Sequence, residues 1–392
     1  MITVEEALAY IEKSEVKILG DEVLPLESAL NRVLSSDVLS PIQMPPFPQS
    51  AMDGYAVNFN SNHSIYNCVG EIAAGQKQNF SLKQGEAVRI FTGAMVPETA
   101  NMVIRQEDVI RDDDCLTFTS VPKIGSNIRP TGEQIRAGEV ALEKGVQLTS
   151  AGIGFLTALG IQKVSVHQTP RIAIISTGNE LKTAGEHLEP CQIYESNGQM
   201  LQSALLNYGF SNTTYYRLGD NYKDTLETVK ILIAKYDLLI FSGGISVGDY
   251  DYVGKGLTEN GVQEIFYKVK QKPGKPIYYG QKNGKIIFAL PGNPAACQTC
   301  FLIYVLPVLS QMIGLGYQGL TKLKGQLNTE YIRKGDRAQF LKAFHDQNGK
   351  LEILDGQSSA MLKSFAVANA LVYIPIDQSS VDEGEPVSFY LL

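Results

Sequence analysis

The chain has 392 residues, 44% hydrophobic and 19% charged, which supplies cores for several domains and excludes a low-complexity or disordered polypeptide. Lys plus Arg total 34 against 41 for Asp plus Glu, and the net charge of −7 has the wrong sign for a generic nucleic-acid binder, so an anionic ligand must meet a local basic spot. With only 4 His, a His-rich metal protein is excluded by count.

The N-terminal stretch MITVEEALAYIEKS is acidic and lacks the basic start and apolar core of a secretory signal. Thr3 and Glu6 form an S/T-x-x-E capping box ahead of an amphipathic helix, and a second helix is predicted over 26–38. Pro41, Pro45, Pro46 and Pro48 then force an extended path. From 55 to 136 short β runs follow, at 64–69, 87–92, 102–106 and 116–121, and helical periodicity returns at 149–159 and stops at Gly160. The β segment reads as an insertion into an elongated helical domain, giving 1–45 with 137–169 as a discontinuous domain and 46–136 as a small β domain.

From 170 to 315 strand and helix alternate: strands at 172–176, 213–218, 238–242 and 286–290, and helices at 199–207, 225–235 and 253–260. The runs at 172–176 and 238–242 are continuously apolar, as expected for parallel strands covered on both faces of a doubly wound α/β domain. Residues 316–392 return to strands, at 339–344, 351–354, 371–374 and 387–391, and form a C-terminal β domain. The longest apolar run, 300–309, is too short to span a bilayer and contains Pro307, so a soluble, cytoplasmic protein without membrane contact is expected. The five cysteines are scattered and odd in number, which does not suggest a disulfide framework.

In open α/β sheets ligands bind beyond the carboxyl ends of the strands. Three such ends run into polar, glycine-bearing loops: Thr177-Gly178-Asn179-Glu180, Gly243-Gly244-Ile245-Ser246-Val247-Gly248, and Pro291-Gly292-Asn293-Pro294. Glycines let backbone amides approach an anion, and the following helix adds its positive end, so a phosphate-bearing ligand fits this rim. Neither G-x-x-x-x-G-K-[ST] nor a strand-to-helix G-x-G-x-x-G is present, which disfavours a P-loop NTPase or a dehydrogenase. Glu180, Asp220, Asp249 and Asp251 gather beside the loops; a divalent cation such as Mg²⁺ would relieve their repulsion with phosphates, with helix capping the competing account of Asp249. Lys272 and Lys275 sit on the proline-bounded turn KPGKP, and Arg337 follows Lys334-Gly335 at a β turn, either of which could meet an oxyanion or be an ordinary solvated turn. Cys297 and Cys300 lie in an apolar helix without a second Cys or His pair and read as buried small residues.

Nine segments in order resemble the molybdopterin molybdenumtransferases, the MoeA family that includes the E domain of gephyrin. They are PPFPQSAMDGYA at 45–56, RIFTGAMVP at 89–97, RPTGEQIRAGE at 129–139, STGNEL at 176–181, QIYESN at 192–197, SGGISVGDYDY at 242–252, KPGKP at 272–276, LPGNP at 290–294 and GQSSAML at 356–362. The resemblance implies a multidomain α/β protein with a MogA-like α/β domain and an elongated homodimer, each site shared between the α/β domain of one subunit and the first two domains of the other. It implies Mg²⁺-dependent insertion of molybdate into adenylylated molybdopterin with release of AMP, after an upstream molybdopterin adenylyltransferase. By the same resemblance Glu180 and Asp251 would hold metal and phosphates, Asp220 would line that pocket, and Asp53 and Thr92 would reach in from the partner copy. Gly243, Gly244, Ser246, Gly248, Pro291, Gly292 and Asn293 would cradle the substrate, and Lys272, Lys275, Arg337 and Ser359 would bind the oxyanion or the pterin side. Asn179, Gln134 and Ser358-Ser359-Ala360 depart from the family's usual STGDEL, GED and GSG. An adenylyltransferase that shares the glycine-loop α/β domain, and a gephyrin-like scaffold, are the competing functions.

Overall fold

The computed structural model describes residues 1–76, 80–245 and 252–392. The central sheet runs in the order Thr213–Leu218, Ile172–Thr177, Leu238–Ser242, Lys285–Leu290, Tyr278–Lys282, Gln263–Tyr267. Its first four strands are parallel and the last two add on antiparallel. The three inner parallel strands, Ile172–Thr177, Leu238–Ser242 and Lys285–Leu290, are apolar on both faces because both are covered. Ala173, Ile175, Leu239 and Phe241 pack on the helices Tyr222–Lys235 and Tyr252–Glu259, while Ile174, Ile240 and Phe288 pack on Asn197–Asn207 and on Phe301 and Tyr304. The doubly wound α/β reading is thus realised, with the strand Tyr278–Lys282, paired on both sides, an element the periodicity did not reveal.

The helical run Pro294–Met312 lies between this sheet and the C-terminal strands, and by length and composition alone it could cross a membrane. That differs from the shorter apolar run read in the sequence. Pro307 is accommodated rather than excluded: the turn Phe301–Val305 widens to a π-helix, so the missing N–H falls at the start of the next helical segment, Leu306–Met312. The run is 94% buried, as a core helix must be.

The C-terminal strands close on themselves. Ala338–His345, Lys350–Ile353, Lys322–Leu327, Pro386–Leu391 and Ala370–Ile374 pair in sequence, and the last pairs back to the first. Gln271–Lys272, from the α/β segment, adds beside Ala338 and Gln339 in parallel register. This short ladder stitches the KPGKP turn to the barrel.

The N-terminal half holds a six-stranded sheet in the order Met102–Arg105, Gly54–Val57, Glu86–Ile90, Tyr66–Ile72, Cys115–Phe118, Val109–Asp112. The capping box forms as expected, with Thr3 and Glu6 exchanging side-chain and backbone bonds at the start of Val4–Lys13. That helix buries Val4, Ala7 and Ile11 in the core of the α/β sheet and long helix. The helix expected over 26–38 does not exist. Asp21–Pro25 instead pairs antiparallel with Lys163–His167, only Leu26–Ser28 makes a 3-10 turn, and Asn31 at φ +63° turns the chain away. The apolar spacing that mimicked a helix buries Leu26, Ala29 and Leu34 against Leu148, Leu156 and Val164. Packing across the chain outweighed local propensity.

Candidate active site

The four parallel strands end on one side of the sheet, and the loops leaving them border a cavity of about 1060 Å³. The first loop contributes Gly178 and Glu180, the second Gly243 and Gly244, the third Pro291, Gly292 and Asn293, and the edge strand Asp220. Lys272 and Lys275 of the KPGKP turn, Arg337 of the barrel and Ser359 of the GQSSAML loop close the opposite wall. Ser246, Gly248 and Asp251 lie outside the described residues, as does Asp249. Asp53 and Thr92 do not line the cavity.

Local sterics explain the glycine loop. Gly244 has φ +64°, and a Cβ there would stand 2.6 Å from Val253 Cγ2 and 2.7 Å from Thr177 Oγ1. Only glycine lets this loop lie flat against its neighbours. Beneath it, the nearly buried Asn197 side chain donates to Ser242 Oγ and to the Gly292 carbonyl, 2.7 Å each, tying two rim loops together. Asn197 Oδ1 and Thr177 Oγ1 are buried with no hydrogen-bond partner among the described residues.

The acidic wall is preorganised. Asn179 and Asp220 exchange bonds, the Asn179 N–H donating to Asp220 Oδ2 at 3.2 Å and the Asp220 N–H to Asn179 Oδ1 at 3.1 Å. Asn at 179 makes this reciprocal pair without placing a second carboxylate against Asp220, which gives the departure from STGDEL a physical account. Glu195 accepts from the Ser176 hydroxyl at 2.9 Å and from the Gly198 N–H at 2.8 Å, in the first turn of Asn197–Asn207.

The basic wall hangs on Gln271, which is fully buried. Its Nε2 donates to the Pro273 and Gly274 carbonyls at 3.0 and 3.2 Å, and the Tyr304 hydroxyl donates to its Oε1. Gly274 has φ +88°, and a Cβ there would meet Cys300 Sγ at 2.4 Å, so the turn rests directly on the long helix. The prolines and this clasp leave Lys272 and Lys275 exposed side by side on one turn. Arg337 donates to the Gln271 carbonyl at 3.3 Å. Asn293 Nδ2 donates to Ser359 Oγ at 2.8 Å, and the Ala296 N–H to the Ser359 carbonyl at 3.1 Å, docking the barrel loop on the helix start.

Among the described residues, none of Glu180, Glu195, Asp220, Lys272, Lys275 and Arg337 is in an ion pair. Charges of both signs therefore face one cavity without neutralising each other. The donor set toward a cation is all oxygen, which suits a hard ion such as Mg²⁺. Glu180, Glu195 and Asp220 supply three carboxylates around the cavity, but no group of three or more metal-ligating side chains is gathered at one point among the described residues. Cys297 and Cys300 are fully buried beneath the cavity; burial pushes the Cys297 thiol up to about 12 and the Cys300 thiol well above its ordinary value, so neither is a nucleophile at neutral pH.

Asp53 and Thr92 form a separate corner. The Thr92 N–H and hydroxyl both donate to Asp53 Oδ1 at 2.8 Å, and these bonds hold the Asp53 carboxyl below its ordinary range. Both residues are exposed.

Three features that line or support the cavity carry little signal in the sequence. Glu195 and Asn197 were visible only as part of a motif, although two polar residues opening a helix just after a strand-end loop are a usable signal. Gln271 looked like an ordinary strand residue. Lys342 interrupts the apolar run QFLKAF, and a charge at an inward position is itself a sign of a specific partner.

Family models match three consecutive stretches: the MoeA N-terminal region (domain I and II) over residues 2–160, a probable molybdopterin binding domain over 173–311, and the MoeA C-terminal region (domain IV) over 324–392. The chain is 31% identical to a molybdopterin molybdenumtransferase of Staphylococcus epidermidis over 95% of this chain and 91% of that protein, and 31% identical to one of Haemophilus influenzae over 99% and 98%. Its fold matches the crystal structure of a molybdopterin biosynthesis moeA protein from Pyrococcus horikoshii with a TM-score of 0.85 at 29% identity, covering 100% of both chains. Sequence, domain series and fold agree over the whole length, and the chain belongs to the molybdopterin molybdenumtransferase family.

Proposed function

We propose that this chain inserts molybdate into adenylylated molybdopterin and releases AMP, in a Mg²⁺-dependent step of molybdenum cofactor biosynthesis. The observation that carries the reading is the single cavity in which unpaired cationic groups face unpaired carboxylates across glycine-lined strand ends. Molybdate is a small dianion, and Lys272, Lys275, Arg337 and Ser359 bind it at the basic wall. The loops at Gly243-Gly244 and Pro291-Gly292-Asn293 hold the phosphates, where absent side chains admit close backbone approach. Glu180 with Asp251 would hold Mg²⁺, which when bound neutralises phosphoryl oxygens.

Phosphoanhydride cleavage asks little covalent work of a protein, so alignment and charge dominate. The bond between the adenylate phosphorus and the bridging oxygen breaks and the bridging oxygen stays with the molybdopterin phosphate. The oxygen that bonds to phosphorus comes either from water, which gives up its protons to solvent, or from molybdate, whose Mo–O bond then breaks as the dithiolene sulfurs bond to molybdenum in its place. Asp53 of the partner subunit and Thr92 of the partner subunit complete the site in a homodimer, in the cytoplasm, downstream of a molybdopterin adenylyltransferase. Purified protein given adenylylated molybdopterin, Mg²⁺ and molybdate should release AMP, and Glu180→Ala should abolish the release. Pyrophosphate formed from ATP and metal-free molybdopterin would instead identify an adenylyltransferase.

A further inference from the structure

Lys342 is the one lysine of the strand Ala338–His345 and is 3% exposed. Its Nζ donates to the carbonyls of Gly356, Met361 and Ser358 at 2.6, 3.0 and 3.3 Å. Three acceptors use three protons, which only the ammonium form carries. Burial by itself pushes the Lys342 pKa down, and the carbonyls pull the other way. No carboxylate pairs with it among the described residues. A buried charge without a counter-ion is costly, and here it is spent on holding one loop.

That loop, 356–361, is the one that brings Ser359 to the cavity. It is clasped further by Gln357, whose side chain accepts from the Lys342 N–H at 3.0 Å and donates to the Lys342 carbonyl at 2.8 Å, and by the Ser364 hydroxyl, which donates to the Gly356 carbonyl at 2.9 Å. In a trans peptide the carbonyl and the next N–H point to opposite sides. Drawing the Ser358 carbonyl onto Lys342 therefore directs the Ser359 N–H away from it, and that N–H has no partner among the described residues. Ser359 Oγ already accepts from Asn293, which frees the hydroxyl proton to donate elsewhere.

We propose that Lys342 is the positioning residue of an oxyanion subsite: it turns the 356–361 carbonyls inward so that the Ser359 N–H and hydroxyl face a tetrahedral dianion, which in turn balances the lysine's unpaired charge. The identity of that dianion as molybdate rests on the function proposed above. Calorimetric titration of molybdate alone into the full chain tests the subsite without any turnover. Lys342→Met and Lys342→Gln should weaken molybdate binding about tenfold or more, the scale of a lost charge-assisted contact. Lys342→Arg keeps the charge but brings a larger planar group into the buried seat, so its molybdate affinity should fall between that of the neutral variants and wild type. In AMP-release assays the same neutral variants should raise the KM for molybdate and leave the KM for adenylylated molybdopterin unchanged, a split that a merely destabilised barrel does not produce. In wild type, molybdate should slow amide hydrogen exchange across 356–361. A folded neutral variant that binds molybdate like wild type overturns the proposal, and so does wild-type exchange that molybdate leaves unchanged, even if every neutral variant fails to fold. Molybdate binding with loop protection but no AMP release would count against the proposed function while supporting the subsite; AMP release without loop protection does the reverse.

Discussion

The strand-end cavity and the Asp53–Thr92 corner treat charge in opposite ways. In the cavity, Glu180, Asp220, Lys272, Lys275 and Arg337 converge from segments far apart in sequence and remain unpaired with one another. In the corner, one carboxylate is satisfied locally by the N–H and hydroxyl of a single threonine. The cavity is an electrostatically open receptacle built within one chain. The corner is an exposed carboxylate held by one threonine, and it lines none of the cavity at the strand ends.

After Glu180→Ala, the largest effect should come from opening the basic wall: Lys275→Ala should lower AMP release about 100-fold at saturating adenylylated molybdopterin, since removing one preorganised charge contact from a transition state costs on that order. Steady-state AMP assays check it, and a loss under threefold would mean the wall is not where charge develops. Co-expressing Lys275→Ala chains with Asp53→Ala chains then asks whether cavity and corner belong to different subunits of one site. Random pairing of two inactive variants should restore about a quarter of wild-type activity, because half of the dimers are mixed and each has one intact site. No restoration would show that corner and cavity act in the same chain or not together.

Gly274→Ala tests how tightly the basic turn is seated. The new methyl must displace Cys300 Sγ at a positive φ, so denaturant unfolding should report a loss of about 3 kcal/mol. The smallest effect is expected at the far end of the same sheet, where Asp237 accepts from Arg171 and Lys285 and staples the starts of three parallel strands. Burial alone would raise the Asp237 carboxyl, but the hydrogen bonds from Arg171 and Lys285 outweigh it and hold it well below its ordinary range. A carboxyl whose folded pKa is depressed stabilises the fold above its unfolded pKa and loses that contribution as pH falls toward the folded value. Asp237→Asn should therefore cost about 2 kcal/mol at pH 7, with a flatter stability profile below about pH 4 and unchanged kcat for the folded fraction. Urea titrations across pH measure the first two and AMP assays the third.

What was legible in the sequence was whatever depends on neighbours along the chain. The apolar runs at 172–176 and 238–242 require a covered parallel sheet, the capping box places the first helix, and glycines after three strand ends announce a rim where backbone must come close to a ligand. Only the tertiary structure decided what depends on distant segments. Residues 26–38 carry helical spacing, yet their apolar side chains find Leu148 and Val164, and that burial outweighs a lone helix in water. Lys342 reads as a misplaced charge until the 356–361 carbonyls fold over it, and Gln271 reads as one more strand residue until Tyr304 and the KPGKP turn close around it. Periodicity and capping are local free energies and survive in the linear text; the counterpart of a buried polar group is supplied by folding, because its desolvation must be offset by whichever carbonyl or hydroxyl the topology delivers.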